Sequence, residues 1–247
     1  MNTKISKIIG LKDLTPKTET DLAFSKLVKL VLNSKVDLLK NIKKSDLQKL
    51  QQNCAIGEYE LEKSWAHKDI KTFPYYQNYV DLTKLEWETF QSINKNPIKS
   101  QNILFVGSGP LPLTTIILAQ KYNLSCTIVD NNKEAVEISK LLIKNLNLHN
   151  KIKIIHSDAK KFKKYSDFNI IYLAALAGTT SQTKNAILQK IKKDTKKDTY
   201  ILARSSWGNR RLLYNPIGQT FFKLFTPILE VHPHNHVVNS FIVFQNP

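Results

Sequence analysis

The chain has little cysteine, no long apolar run and few acids, and each shortage narrows what it can be. Only Cys54 and Cys126 occur among 247 residues, in different predicted elements and without metal-ligand spacing, so a disulfide framework or cysteine metal site is excluded. They read as small buried hydrophobes in a reducing compartment, and the expected location is cytoplasmic. No apolar stretch approaches the roughly 18 residues that cross a bilayer. Residues 1–12 are polar and lack the core of a secretory signal. No internal repeat or low-complexity tract is present beyond a bias to lysine. Against 37 Lys and Arg stand 20 Asp and Glu, a formal charge of +17. Such a charge suits a nucleic-acid surface. The excess is nearly all lysine, though, and is scattered in short runs at turns (Lys160, Lys161, Lys163 and Lys164; Lys192, Lys193, Lys196 and Lys197). Solvated faces are therefore favoured over a nucleic-acid partner.

What is present is 42% hydrophobic content, enough for one good core plus a smaller layer. Residues 18–96 read as helical: Leu22, Leu27, Leu30 and Val31 recur at helical spacing. Ser45 and Asp46 can cap a second helix with a stripe through Leu47, Leu50, Cys54, Leu61 and Trp65. After Pro74, a third begins near Tyr79 and carries Leu82, Leu85 and Phe90. From residue 101 the period changes. Short apolar runs at 102–106, 126–129, 152–155, 169–173, 200–203 and 237–244 read as strands, alternating with helical patterns at 113–122, 135–146 and 184–191. That alternation predicts an α/β fold, a Rossmann-like parallel-type sheet covered on both faces. A small helical domain over residues 1–96 is expected to precede it, with the sheet domain over 97–247.

The first strand runs into Gly107-Ser108-Gly109-Pro110-Leu111-Pro112. Glycines there permit a tight turn and a close approach of backbone to ligand, and Pro112 suits the first helical position. The second strand ends at Asp130, about 20 residues on, where an acid binds ribose hydroxyls. Ser157 and Asp158 follow the third strand, placed either to reach an adenine edge or to cap a turn. Ala174 and Leu176, in the small-residue run 174–178, leave space beside a ligand. The Pro-Leu-Pro sequence after Gly109 departs from the dinucleotide pattern, so one nucleoside, as in S-adenosylmethionine (SAM), fits better than NAD.

Residues 105–114 (Phe-Val-Gly-Ser-Gly-Pro-Leu-Pro-Leu-Thr) resemble the signature of the nicotianamine synthase family. Four further blocks follow the same resemblance: Phe73 to Tyr76 with Asn78, Tyr79 and Lys84 to Trp87; Leu173 to Gly178; Arg204, Ser205, Trp207, Gly208, Arg210, Leu213, Tyr214 and Pro216; and His232, Pro233 and Val237 to Ser240. The blocks span residues 73–244, and the first 50 residues carry none. The resemblance implies a helical domain laid over a SAM-binding α/β domain with the reaction chamber between them. It also implies transfer of the 3-amino-3-carboxypropyl arm of SAM to an amine, releasing methylthioadenosine, with a metal-chelating product and no metal in catalysis. Plant-type members join three SAM molecules; microbial relatives couple one arm to glutamate-derived intermediates or to histidine.

The attacking amine must be unprotonated, which calls for a nearby base. Glu58, Glu60 and Glu62 share the second helix; helical phase puts Glu58 near the apolar stripe, Glu62 at its edge and Glu60 away from it. The resemblance puts Glu62 in the catalytic place and Tyr79 beside it. Arg204 and Arg210 are expected to hold substrate carboxylates, with Tyr214 and Asn239 as further substrate contacts. His232, His234 and His236 alternate, and a metal site there is not favoured. Two rivals remain: a SAM-dependent RNA methyltransferase, whose usual Asn-Pro-Pro-aromatic run is replaced by residues 174–178, and a non-catalytic nucleoside-binding module.

Overall fold

In a computed structural model that describes residues 2–94, 102–178 and 180–247, four helices precede a seven-stranded sheet. The helices are α1 (Thr3–Gly10), α2 (Thr18–Asn33), α3 (Lys44–Trp65) and α4 (Tyr76–Ile93). β1 (Ile103–Val106), α5 (Leu113–Lys121), β2 (Cys126–Asp130), α6 (Lys133–Asn145), β3 (Ile152–His156), β4 (Ile170–Leu173), α7 (Ser181–Asp194) and β5 (Tyr200–Ser205) then alternate as the sequence pattern predicts. A short α8 (Gln219–Leu224) leads to β6 (Thr226–Val231) and β7 (Ser240–Gln245).

The strand order is β3-β2-β1-β4-β5-β7-β6. The first five strands are parallel, and β7 pairs antiparallel with both β5 and β6. β1 and β4 are buried at every residue, which explains why they read as unbroken apolar runs without alternation. The order reverses between β1 and β4, and the crevice at their carboxyl ends is where such sheets bind ligands.

Several elements depart from the sequence reading. α1 is formed although its segment is polar: Asn2 accepts from the Lys4 N–H as N-cap, and Ile5 and Ile8 alone supply the buried face. α3 starts at Lys44, so Ser45 and Asp46 lie inside its first turn and make no cap. α4 starts three residues before Tyr79, and Pro112 is the N-cap of α5 rather than its first residue. β6 is an exposed edge strand, where Pro227 is tolerated because its missing N–H interrupts no central ladder.

Two apolar clusters hold the molecule. The larger fills both faces of the sheet and takes in Trp87 and Phe90 of α4. The smaller joins Ile5, Ile8, Leu27, Val31, Leu50 and Cys54 of α1–α3 to Leu212, Leu213 and Val238 from the C-terminal part. α4 thus packs with the sheet, and α1–α3 are seated on loops that follow β5 and precede β7. The expected domain boundary between residues 96 and 97 lies outside the described residues. No described helix is long and apolar enough to cross a membrane.

Candidate active site

The carboxyl ends of β1, β2 and β4 open into a chamber of about 430 Å³. Its floor is the turn after β1, where Gly107 (φ +80°) and Gly109 (φ +66°) adopt backbone angles that favour glycine. Gly109 has a second reason to lack a side chain: a Cβ there would sit 2.8 Å from Oε2 of Glu62. The turn therefore brings the backbone against a carboxylate from α3.

Asp130 at the end of β2 accepts from the Gly109 N–H (2.9 Å) and the Asn132 N–H (2.9 Å), one bond to each oxygen. A carboxylate has about four lone-pair sites, so Asp130 ties down the turn and keeps capacity for hydroxyls in the chamber it lines. Ser108, Asp158, Ala174 and Leu176 line the same chamber. Asp158 also accepts from the Lys160 N–H at 2.8 Å, so the turn-capping role and the lining position coexist. Behind residues 174–178, the buried Lys184 donates to the Ala175 carbonyl at 2.8 Å, and burial pushes its ammonium down to about 8.

Four side chains from three segments meet over the turn. Tyr79 Oη donates to Glu62 Oε1 at 2.9 Å and lies 3.4 Å from Glu58 Oε1. Tyr214 Oη donates to Glu58 Oε2 at 2.7 Å. Burial raises the Glu62 carboxyl well above the ordinary range, helped by the charges of Glu58 and Asp130 and opposed by the Tyr79 hydrogen bond. Glu58 is raised by burial, against the hydrogen bonds from Tyr214 and Tyr79. Two carboxylates this close compete for one proton. Glu60 points elsewhere and pairs with Lys63 at 3.6 Å. Both acids that helical phase sets near the apolar stripe thus reach the site.

Arg204 lines the chamber from the end of β5, but much of its guanidinium is engaged. Nε and Nη2 bond Glu86 of α4 at 2.7 and 2.9 Å, and Nη2 also reaches Thr114 at 2.7 Å. The cation sits against the rings of Phe105 and Tyr79, at 5.5 and 5.9 Å from their centroids. Glu86 and Thr114 carry no site role in the sequence reading, although both fall inside the quoted blocks. Asn239 lines the chamber too, and its Nδ2 finds no hydrogen-bond partner among the described residues. Such an orphan donor costs about 1–3 kcal/mol unless a ligand accepts from it.

Arg210 does not join them. It donates to the Asn235 carbonyl at 2.9 Å, stacks over Trp207 and does not line this chamber. The histidines also part: His232 and His234 pack on Trp207, while His236 bonds Asp81 at 2.7 Å. Among the described residues no group of His, Cys, Asp or Glu is set to hold a metal.

A sheet of this order, with a glycine turn at its reversal and an acid ending β2, places the chain among Rossmann-type α/β proteins, whose crevice at that point suits a nucleoside. A family model described as nicotianamine synthase protein matches residues 2–247, and the chain belongs to the nicotianamine synthase family, the SAM-dependent aminocarboxypropyl transferases. The match reaches the N-terminal residues that show no legible motif. Nicotianamine synthase 3 of Arabidopsis thaliana is 28% identical over 260 residues, covering 96% of this chain and 79% of that one. The nicotianamine synthase of Solanum lycopersicum is 26% identical over 256 residues, with 96% and 79% covered. The crystal structure of MtNAS in complex with MTA and tNA matches with a TM-score of 0.84 at 20% identity, over 99% of this chain and 96% of that chain. The N-methyltransferase NodS of Bradyrhizobium japonicum, in complex with S-adenosylhomocysteine, matches at 0.54 and 13% identity, over 76% and 98%. The sheet is thus shared with methyltransferases.

Proposed function

We propose that this chain transfers the 3-amino-3-carboxypropyl group of SAM to an amine acceptor, with Glu62 as base and Tyr79 as the group that holds and relays the proton. The carrying observation is the Glu62–Tyr79 hydrogen bond of 2.9 Å directly over the glycine turn. MtNAS has been crystallised with MTA and tNA, and a glutamate-to-glutamine mutant of it with S-adenosylmethionine; both complexes support a reaction that uses SAM.

The nitrogen lone pair attacks Cγ of the methionine arm as the Cγ–S bond breaks. The bonding pair goes to sulfur, which leaves as the neutral thioether of methylthioadenosine, and the proton of the new ammonium passes to Glu62. Orientation decides between Cγ and the methyl carbon, and good geometry is worth about 7–11 kcal/mol. Asp130, Ser108, Asp158, Ala174 and Leu176 hold the nucleoside in this reading, while Arg204, Tyr214 and Asn239 meet the amino-acid end. Glu62 is poised for the step. Burial raises its affinity for a proton, and the positive charge of a sulfonium in the chamber would favour its ionised, basic form. The sulfonium is already an activated leaving group, so no Lewis acid is needed. The two buried free thiols, Cys54 and Cys126, support a cytoplasmic enzyme.

Incubation of the purified chain with SAM and candidate amines tests the reading, with the adenosine products separated by chromatography. Methylthioadenosine is expected. S-adenosylhomocysteine, formed with RNA or a small amine, would overturn it in favour of methyl transfer.

A further inference from the structure

The turn that follows β4 is held at its middle by one side chain that the transfer step does not use. Ala174 to Ala177 form this turn. The Ala174 N–H donates to the Val106 carbonyl at 3.1 Å, and the Ala177 N–H donates to the Ala174 carbonyl at 3.1 Å. Those bonds fix the two ends. Among the described residues, the peptide between Ala175 and Leu176 has a single anchor, the Lys184 ammonium, which donates to the Ala175 carbonyl at 2.8 Å. Lys184 sits in the first turn of α7 and is 5% exposed. Its backbone is set against the same loop, because a Cβ on Gly178 (φ +74°) would lie 2.7 Å from the N and Cα atoms of Lys184. One residue thus grips the loop at two places.

Stability does not account for a lysine there. A buried ammonium is costly unless it is paired, and a cation is disfavoured in the first turn of a helix, where the dipole is positive. Burial alone lowers the affinity of Lys184 for its proton, and no charged group among the described residues offsets it. What its bond does is orient a peptide. The peptide is trans, and in a planar trans peptide the N–H and C=O point in opposite directions. With the Ala175 carbonyl turned to Lys184, the Leu176 N–H is turned away from it. Ala175 and Leu176 line the nucleoside chamber and Lys184 does not. The Leu176 N–H donates to no acceptor among the described residues, which leaves a donor open at the chamber wall. We propose that Lys184 is a positioning residue for the nucleoside: by holding the Ala175 carbonyl it presents the Leu176 N–H to an acceptor atom of the bound nucleoside. The proposal rests on the chamber being the nucleoside site and not on which carbon of the sulfonium is attacked.

Lys184→Met keeps an unbranched apolar stem and removes the donor. Calorimetric titration of the variant with methylthioadenosine is expected to give a Kd weaker by about three- to tenfold, the worth of one hydrogen bond. The KM for SAM should rise by the same factor, with kcat within about twofold of the parent. The thermal midpoint of the ligand-free variant should equal or exceed the parent's, because an unpaired buried charge has gone. An unchanged Kd overturns the proposal. So does a lowered midpoint with kcat and KM both impaired, which would make Lys184 a structural residue. The unaltered chain supplies a second measurement that needs no variant to fold: saturating methylthioadenosine should slow hydrogen exchange at the Leu176 amide by about tenfold or more. An amide left unprotected overturns the proposal. S-adenosylhomocysteine formed in place of methylthioadenosine would defeat the transfer reading and leave this one standing. Failure of methylthioadenosine to bind the parent chain would defeat the nucleoside site and the role of Lys184 with it.

Discussion

Glu62 combines a raised affinity for protons with a bond to Tyr79, and each property has its own consequence. Replacing it with glutamine keeps the shape and removes the base, so Glu62→Gln should slow methylthioadenosine release by about 10²–10⁴-fold, the usual worth of a positioned general base, with SAM binding retained. Tyr79→Phe should slow turnover in the same assay; near-normal rates in either variant would remove the role assigned. The raised carboxyl also links stability to pH. The folded protein keeps a proton that the unfolded chain, at the ordinary glutamate value of 4.5, has given up. The contribution of Glu62 to the stability of the ligand-free protein should therefore be fullest below that value and decline as pH rises toward the raised one. Thermal melts across that window should show the decline in the parent and a weaker one in Glu62→Gln. At this scale the sequence was partly legible. Helical phase separated Glu58 and Glu62 from Glu60, and Tyr79 stood in a recognisable block. Arg210 stood in one as well, yet it is turned onto Trp207 and the Asn235 carbonyl, and a motif carries no record of that turn.

Between elements, the pair Arg204–Glu86 joins β5 to α4, and the bond to Thr114 brings in α5. Both partners are buried, so Glu86→Ala leaves an unpaired guanidinium and should cost about 3–5 kcal/mol, read as a fall in denaturation midpoint. Arg204→Lys cannot reproduce the bidentate geometry and should lose part of the same amount. A milder link spans the nucleoside chamber. Tyr59 Oη of α3 donates to Glu134 of α6 at 2.6 Å, and Lys63 pairs with the same carboxylate at 3.2 Å. Tyr59→Phe removes one hydrogen bond of about 0.5–1.5 kcal/mol and should raise the KM for SAM by up to about tenfold with kcat little changed. An equal fall in kcat would assign Tyr59 to chemistry instead. None of these contacts was readable from periodicity. Glu86 falls on a helix read from its packing stripe, and Glu134 lies one residue before the helical pattern at 135–146.

The whole molecule is a sheet whose reversal point is roofed by α3 and α4, so that the Glu62–Tyr79 pair faces the chamber at the strand ends. Because the sulfonium activates its own leaving group, removing divalent cations with a chelator should leave the rate of methylthioadenosine release unchanged; a loss restored by added metal would contradict that chemistry. The alternation of strand and helix was determined by the sequence alone. So were the glycine turn with its acid about 20 residues on, and the family blocks. All of these depend on neighbours close in the chain, where periodicity and turn chemistry act. Only the tertiary structure decided that β6 and β7 run antiparallel at the edge and that α1 docks through two isoleucines. It alone decided that Glu58 meets Tyr214 across 156 residues of chain. Those outcomes arise where segments distant in sequence compete for the same buried space, and a linear pattern does not contain that competition.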